Sequence, residues 1–143
     1  MSDILIVDDE PKILSALTRL FRRQNYQIFT ASSGKEALLT LQQEPIAVVI
    51  SDMKMPLMNG AEFLTQVSQH WPDIERIILT GHSDFQDTVS AINSAGIFRY
   101  INKPWDDNEL IQVVAEASSS FLEKTNQKYL QETTSRQNSQ LRD

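Results

Sequence analysis

Ile46-Ala47-Val48-Val49-Ile50-Ser51-Asp52 opens with five successive apolar residues and closes on a hydroxyl and a carboxylate. Apolar side chains at every position fit a strand buried on both faces, as in the centre of a parallel sheet covered by helices. Shorter runs of the same kind lie to either side, at Ile4–Val7, Tyr26–Thr30, Arg76–Thr80 and Ile97–Ile101, and the central one spans Ile46–Ser51. Each is followed by apolar residues at helical spacing: Leu14, Leu17 and Phe21; Ala37, Leu38 and Leu41; Phe63, Leu64 and Val67; Phe85, Val89 and Ile92; and Leu110, Val114, Ala117 and Phe121. A strand that alternates with a helix must return in the same direction, so the pattern predicts five βα units around a parallel sheet, an α/β fold. Arg99 interrupts the last run and marks it as an edge strand.

The helices carry their own punctuation. Pro11 suits a first helical position, where its missing N–H is no loss. Ser33-Gly34-Lys35-Glu36 reads as a capping box. Trp71 precedes Pro72 and is pushed out of helical dihedrals, which ends the third helix. Gly96 is placed for the left-handed residue after the fourth.

The chain has 143 residues, 41% of them hydrophobic and 22% charged, which suits one globular domain. A net charge of −6 argues against a surface for nucleic acid or anionic membrane. Cysteine is absent, which removes disulfides, thiolate nucleophiles and sulfur-ligated metals. No apolar run suits a signal peptide or a membrane span, and a cytoplasmic protein is expected. After Leu122 the composition changes: of the 21 residues 123–143, 11 are Ser, Thr, Asn or Gln. Such a stretch cannot bury a core of its own. The chain is therefore divided into a domain at 1–122 and a polar segment at 123–143. That segment is either a solvated tail or linker, the favoured reading, or an extension of the last helix toward an effector domain, which would need a partner.

In an open parallel sheet the ligand crevice lies at the carboxyl ends of the strands. The residues there are Asp8-Asp9-Glu10, Ser51-Asp52, Thr80-Gly81 and Asn102-Lys103-Pro104. Asp8, Asp9 and Asp52 would repel one another unless a cation lay between them, and three hard oxygens suit Mg²⁺. With Mg²⁺ and Lys103 the local charge is neutral, so an anionic phosphoryl group can approach. A carboxylate can attack phosphorus to form an acyl phosphate while a metal and a lysine stabilise the equatorial oxygens. Thr80 offers a hydroxyl to one of those oxygens, and Gly81 leaves room for the donor.

Four fragments in this order, Val7-Asp8-Asp9-Glu10, Asp52-Met53-Lys54-Met55-Pro56 with Asn59-Gly60, Thr80-Gly81, and Tyr100-Ile101-Asn102-Lys103-Pro104, resemble the receiver domain of two-component response regulators. The resemblance covers residues 1 to about 122 and implies the flavodoxin-like (βα)5 fold with strand order 2-1-3-4-5. It makes Asp52 the phosphoryl acceptor, and Asp8, Asp9, Asp52 and the backbone carbonyl of Lys54 the Mg²⁺ ligands. It makes Thr80 the switch hydroxyl, Lys103 the phosphate-pairing lysine and Tyr100 the aromatic switch. Lys103-Pro104 becomes the candidate cis peptide, and Lys54 and His82 the residues that tune dephosphorylation. The implied donor is a sensor histidine kinase or phosphotransfer protein. The implied output passes to an effector domain beyond residue 143 or to a homodimer formed through the last helix. Trp105 after Lys103-Pro104 resembles a variant found beside cyclic-dinucleotide phosphodiesterases and transcriptional activators.

Other readings of the same residues stay open. Asp9 or Glu10 could simply complement a helix dipole, and Tyr100 could only pack against a helix. The cluster could also serve a Mg²⁺-dependent phosphohydrolase working through an aspartyl phosphate, although Lys54 stands where such enzymes carry a second acid. An interaction module that is never phosphorylated is the third reading. Turnover of a small-molecule substrate is not expected.

Overall fold

The computed structural model describes residues 2–81, 86, 89, 93 and 95–142, with side chains described as far as Lys128. Its elements run β1 (Asp3–Val7), α1 (Pro11–Arg22), β2 (Gln27–Ala31), α2 (Gly34–Gln43), β3 (Val48–Asp52), α3 (Gly60–His70), β4 (Glu75–Thr80), β5 (Arg99–Asn102) and α4 (Asp107–Arg142). All strand pairings are parallel and the order is β2-β1-β3-β4-β5, the expected one. The helix predicted around Phe85, Val89 and Ile92 falls largely outside the described residues. Val89 is described and is 42% exposed. Gly96, with φ 62°, has the left-handed conformation expected of it.

Alternation along each strand sorts the apolar residues into two layers. Leu5, Val7, Val49 and Ile78 face one side and pack on Ala37 and Leu41 of α2 and on Phe63, Leu64 and Val67 of α3. Ile4, Ile6, Val48, Ile50, Ile77 and Leu79 face the other and meet Leu17 and Phe21 of α1 and Leu110, Val114 and Ala117 of α4. This is why β3 tolerates no polar residue until Ser51, since both of its faces are buried. Each such side chain, fully buried, contributes about 1.5–3 kcal/mol. β5 is the edge strand: only Ile101 of its four residues is buried, and Arg99 reaches Glu116 at 3.7 Å.

The helix ends depart from expectation in two places. Ser33 caps α2 by accepting from the Glu36 N–H at 3.1 Å, but the returning half of the box goes elsewhere. The Glu36 carboxylate takes the N–H and hydroxyl of Ser32, at 3.2 and 2.8 Å, because two donors on one residue outcompete a single N–H. The complete capping box belongs instead to α3, between Asn59 and Glu62. The second departure is the tail. The backbone of α4 is helical through Arg142, so residues 123–142 continue the last helix, the less favoured of the two readings of that segment. Pro11 is at the first turn of α1, and Trp71 (φ −135°, ψ 67°) ends α3, both as expected. Among the described residues no helix is long and apolar enough to cross a membrane.

Candidate functional site

Parallel register brings the strand ends together. Val7 pairs with Ser51 and Asp52 with Leu79, so Asp8, just beyond β1, lies beside Asp52 at the end of β3. Thr80 pairs with Asn102, and the Lys103 N–H donates to the Thr80 carbonyl at 2.8 Å. Four chain-distant groups thus meet at one edge of the sheet because each strand stops at the same level.

Asp8 has no exposed surface and Asp52 is 6% exposed, while Asp9 lies at the surface. One carboxylate oxygen from each lies within 4.8 Å of the other two. The Lys103 ammonium donates to Asp52 Oδ1 at 2.7 Å and lies 3.6 Å from Asp8 Oδ2, beyond hydrogen-bond length. Asp8 Oδ1 accepts the Glu10 N–H at 2.9 Å, but Oδ2 is buried with no hydrogen-bond donor among the described residues.

Burial dominates the titration of these groups. It pushes Asp8 up to about 6; the Glu10 N–H and Lys103 oppose it, and the charges of Asp52 and Asp9 add to it. Asp52 is also raised, by burial first, with Lys103 and the Met53 N–H opposing. Burial works against the Lys103 ammonium, yet the hydrogen bond and charge of Asp52, with Asp8 and Glu10, outweigh it and hold its pKa above the ordinary value. Two buried carboxylates facing one lysine leave an excess of negative charge. A divalent cation fits here: the donors are hard oxygens and the orphaned Asp8 Oδ2 lacks a partner that such an ion would supply.

Thr80 is buried at the end of β4, and its hydroxyl donates to the Gly81 carbonyl at 3.3 Å. Tyr100 is 50% exposed on β5, two residues before the strand ends, and lies on the surface rather than in the cluster. The side chain of Lys54 is exposed two residues beyond Asp52. The Lys103-Pro104 peptide is cis, as the sequence suggested. His82 lies outside the described residues.

Some residues that shape the site are not evident from periodicity. Gly60 starts α3 against the end of β3: its N–H donates to the Met53 carbonyl at 2.8 Å, and a Cβ there would lie 2.2 Å from the Asp52 carbonyl oxygen. Only glycine allows that approach, which fixes the loop that follows Asp52. Leu57 in that loop has φ 70° and is fully exposed. The pair Asn59-Gly60 was the available signal, because a cap residue followed by glycine marks a helix start under close contact. Trp105 Nε1 donates to Asp107 Oδ1 at 3.0 Å, which ties the turn after Lys103 to the first turn of α4.

Residues 4–115 match the model of the response regulator receiver domain. The chain is 40% identical over 114 residues to the hydrogenase transcriptional regulatory protein HoxA of Cupriavidus necator, an overlap of 80% of this chain and 23% of that protein. It is 35% identical over 121 residues to the DNA-binding transcriptional regulator NtrC of Salmonella typhimurium, covering 85% of this chain and 26% of that one. The chain spans about a quarter of the length of these curated relatives. Among solved structures, the signal receiver domain of an HD domain-containing protein from Pseudomonas fluorescens Pf-5 superposes with a TM-score of 0.83 at 34% identity, covering 85% of this chain and 98% of that chain.

Proposed function

Because the chain belongs to the response regulator receiver domain family, we propose that it accepts a phosphoryl group on Asp52 from a sensor histidine kinase or phosphotransfer protein and relays the change to an effector. The observation that carries this reading is the Lys103–Asp52 contact of 2.7 Å beside the buried, underpartnered Asp8. An Asp52 carboxylate oxygen attacks phosphorus; the O–P bond forms as the N–P bond of the donor phosphohistidine breaks, and the imidazole leaves. Mg²⁺, held by Asp8, Asp9, Asp52 and the Lys54 carbonyl, would supply charge neutralisation at the phosphoryl oxygens. Lys103 already bonds the acceptor oxygen, so it is poised to follow charge onto the phosphoryl group. Thr80, one backbone hydrogen bond away from Lys103, is the hydroxyl that senses the same group, and the outward Tyr100 can turn in once Thr80 is recruited.

Intact mass after incubation with Mg²⁺ and acetyl phosphate tests the reading. A single phosphoryl adduct is expected, and it should vanish in Asp52→Asn and in chelator. No adduct on the wild type, with no phosphate released, would overturn it in favour of an unphosphorylated interaction module. Steady phosphate release without an adduct would favour the phosphohydrolase. Lys54 and His82 are proposed to tune the lifetime of the adduct. Replacing each by Ala should change its half-life several-fold, and two unchanged half-lives would remove them from that role.

The relatives suggest where the output goes. HoxA and NtrC carry the names of transcriptional regulators and the Pseudomonas protein that of an HD domain protein, and each is longer than its receiver or is named for another domain. The proposed layout places the effector after α4 and the kinase at the crevice, with a homodimer through α4 as the second route of output.

A further inference from the structure

The amino-end pole of the sheet, away from the acidic cluster, holds a second set of paired charges that the proposed chemistry does not use. Glu75 opens β4 and is only 5% exposed. Its Oε1 accepts from the Ser120 hydroxyl at 3.0 Å and from the Lys124 ammonium at 2.5 Å. One turn further along α4, Lys128 Nζ donates to Asp73 Oδ2 at 2.5 Å. Lys124 and Lys128 are four residues apart and therefore share one helix face.

Apolar packing does not explain this contact. The inward residues of α4 are Leu110, Val113, Val114 and Ala117, with Phe121 partly buried against both core layers. From Leu122 to Lys128 every residue is exposed. Phe121 and Lys128 of the helix line a groove of about 430 Å³ together with Leu41, Ile46, Trp71 and Asp73, so the apolar wall on this side is left open rather than filled by residues 122–128. A polar helix of this kind has little intrinsic reason to stay against the body, since an isolated helix of this length is marginal. The Asp73–Lys128 pair spans the groove, and Glu75–Lys124 lies one helical turn nearer Phe121.

We propose that the receiver ends after Lys128 rather than after Leu122, and that the Glu75–Lys124 and Asp73–Lys128 clips dock the outgoing helix of this same chain as a rigid lever. Whatever follows then rotates with the sheet instead of hanging from a loose joint. The proposal stands whether or not Asp52 is phosphorylated.

Amide hydrogen exchange on the full 143-residue chain, read by mass spectrometry, tests it. Amides of 122–128 should exchange about tenfold or more slowly than those of 132–142. In Lys124→Met/Lys128→Met the two stretches should converge. Glu75→Gln/Lys124→Met removes both charges at once, so no unpaired buried carboxylate remains and the fold survives if the double lysine variant does not; convergence is expected there for 122–125. Equal rates in the wild type would overturn the proposal. So would slow exchange retained in both variants, which would assign the docking to Phe121 alone. Protection that rises with protein concentration would assign it to a second copy of the chain and overturn it as well.

Discussion

Replacing Asp8 by Asn should stabilise the metal-free protein at neutral pH. Asp8 has no exposed surface, and burial holds its pKa at about 6 against an ordinary 3.8. At pH 7.5 the group is ionised in both folded and unfolded chains, and folding bears the full desolvation cost, about 3 kcal/mol for that gap. The amide removes the charge but must point one end at the Glu10 N–H and the other at Lys103. One of its two orientations sets an NH₂ toward the lysine, so about 1–3 kcal/mol is expected to survive as stabilisation. At about 4 °C per kcal/mol for a domain of this size, the midpoint should rise by roughly 4–12 °C in chelator. The pH dependence follows from the raised value. As pH falls through 6 the folded chain takes up the proton first, so wild-type stability increases, by about 1.4 kcal/mol at pH 5, and the rise ends below the unfolded value near 3.8. Asp52, also raised, adds in the same direction. Added Mg²⁺ should close the gap and then reverse the ranking: it stabilises the wild type by about 1.4 kcal/mol at ten times its dissociation constant and by about 4.1 kcal/mol at a thousand times, and the variant lacks the ligand. Scanning fluorimetry at pH 7.5 and 5, with chelator and with Mg²⁺, reads all of this. A metal-free Asp8→Asn variant less stable than wild type, or a wild-type midpoint flat between the two pH values, would refute the reasoning.

Two further outcomes concern stability away from the carboxylates. Gly60→Ala forces a methyl to within 2.2 Å of the Asp52 carbonyl oxygen, and should cost about 3 kcal/mol because backbone cannot retreat as a side chain can; an unchanged urea midpoint would count against the close contact. Arg76 is 9% exposed and donates to the carbonyls of Gly96, Ile74 and Pro72. Burial lowers its pKa, opposed by Glu75. Arg76→Met should cost about 2–4 kcal/mol by leaving those carbonyls unpaired, and exchange at residues 96–98 should accelerate; no change in either would show that the clamp is dispensable.

The alternation of strands and helices and the sheet order were legible because both faces of the sheet are buried, which makes the apolar runs continuous and the turns polar. The acidic cluster was legible for a related reason: residues just past parallel strands converge, so Asp8, Asp52, Thr80 and Lys103 could be grouped without coordinates. What escaped depends on contacts between distant segments. Nothing local in Arg76 shows that its guanidinium will hold Gly96, twenty residues on. Ser32 took the Glu36 carboxylate because it offers two donors, a competition that spacing rules do not weigh. The continuation of α4 past Leu122 could not be decided because its contacts with the body are ionic, to Asp73 and Glu75 in and just before β4, while periodicity registers only apolar faces.

β4 has a chemical group at each end: Thr80 at the crevice and Glu75 at the foot of α4. Five residue steps separate them, about 17 Å of extended backbone. At that distance substitutions are energetically additive, so each end tolerates change without compensation at the other. A lineage could therefore refit its tether to a new downstream domain while inheriting its carboxylate cluster intact, and the strand between them is the part that neither alteration needs to touch.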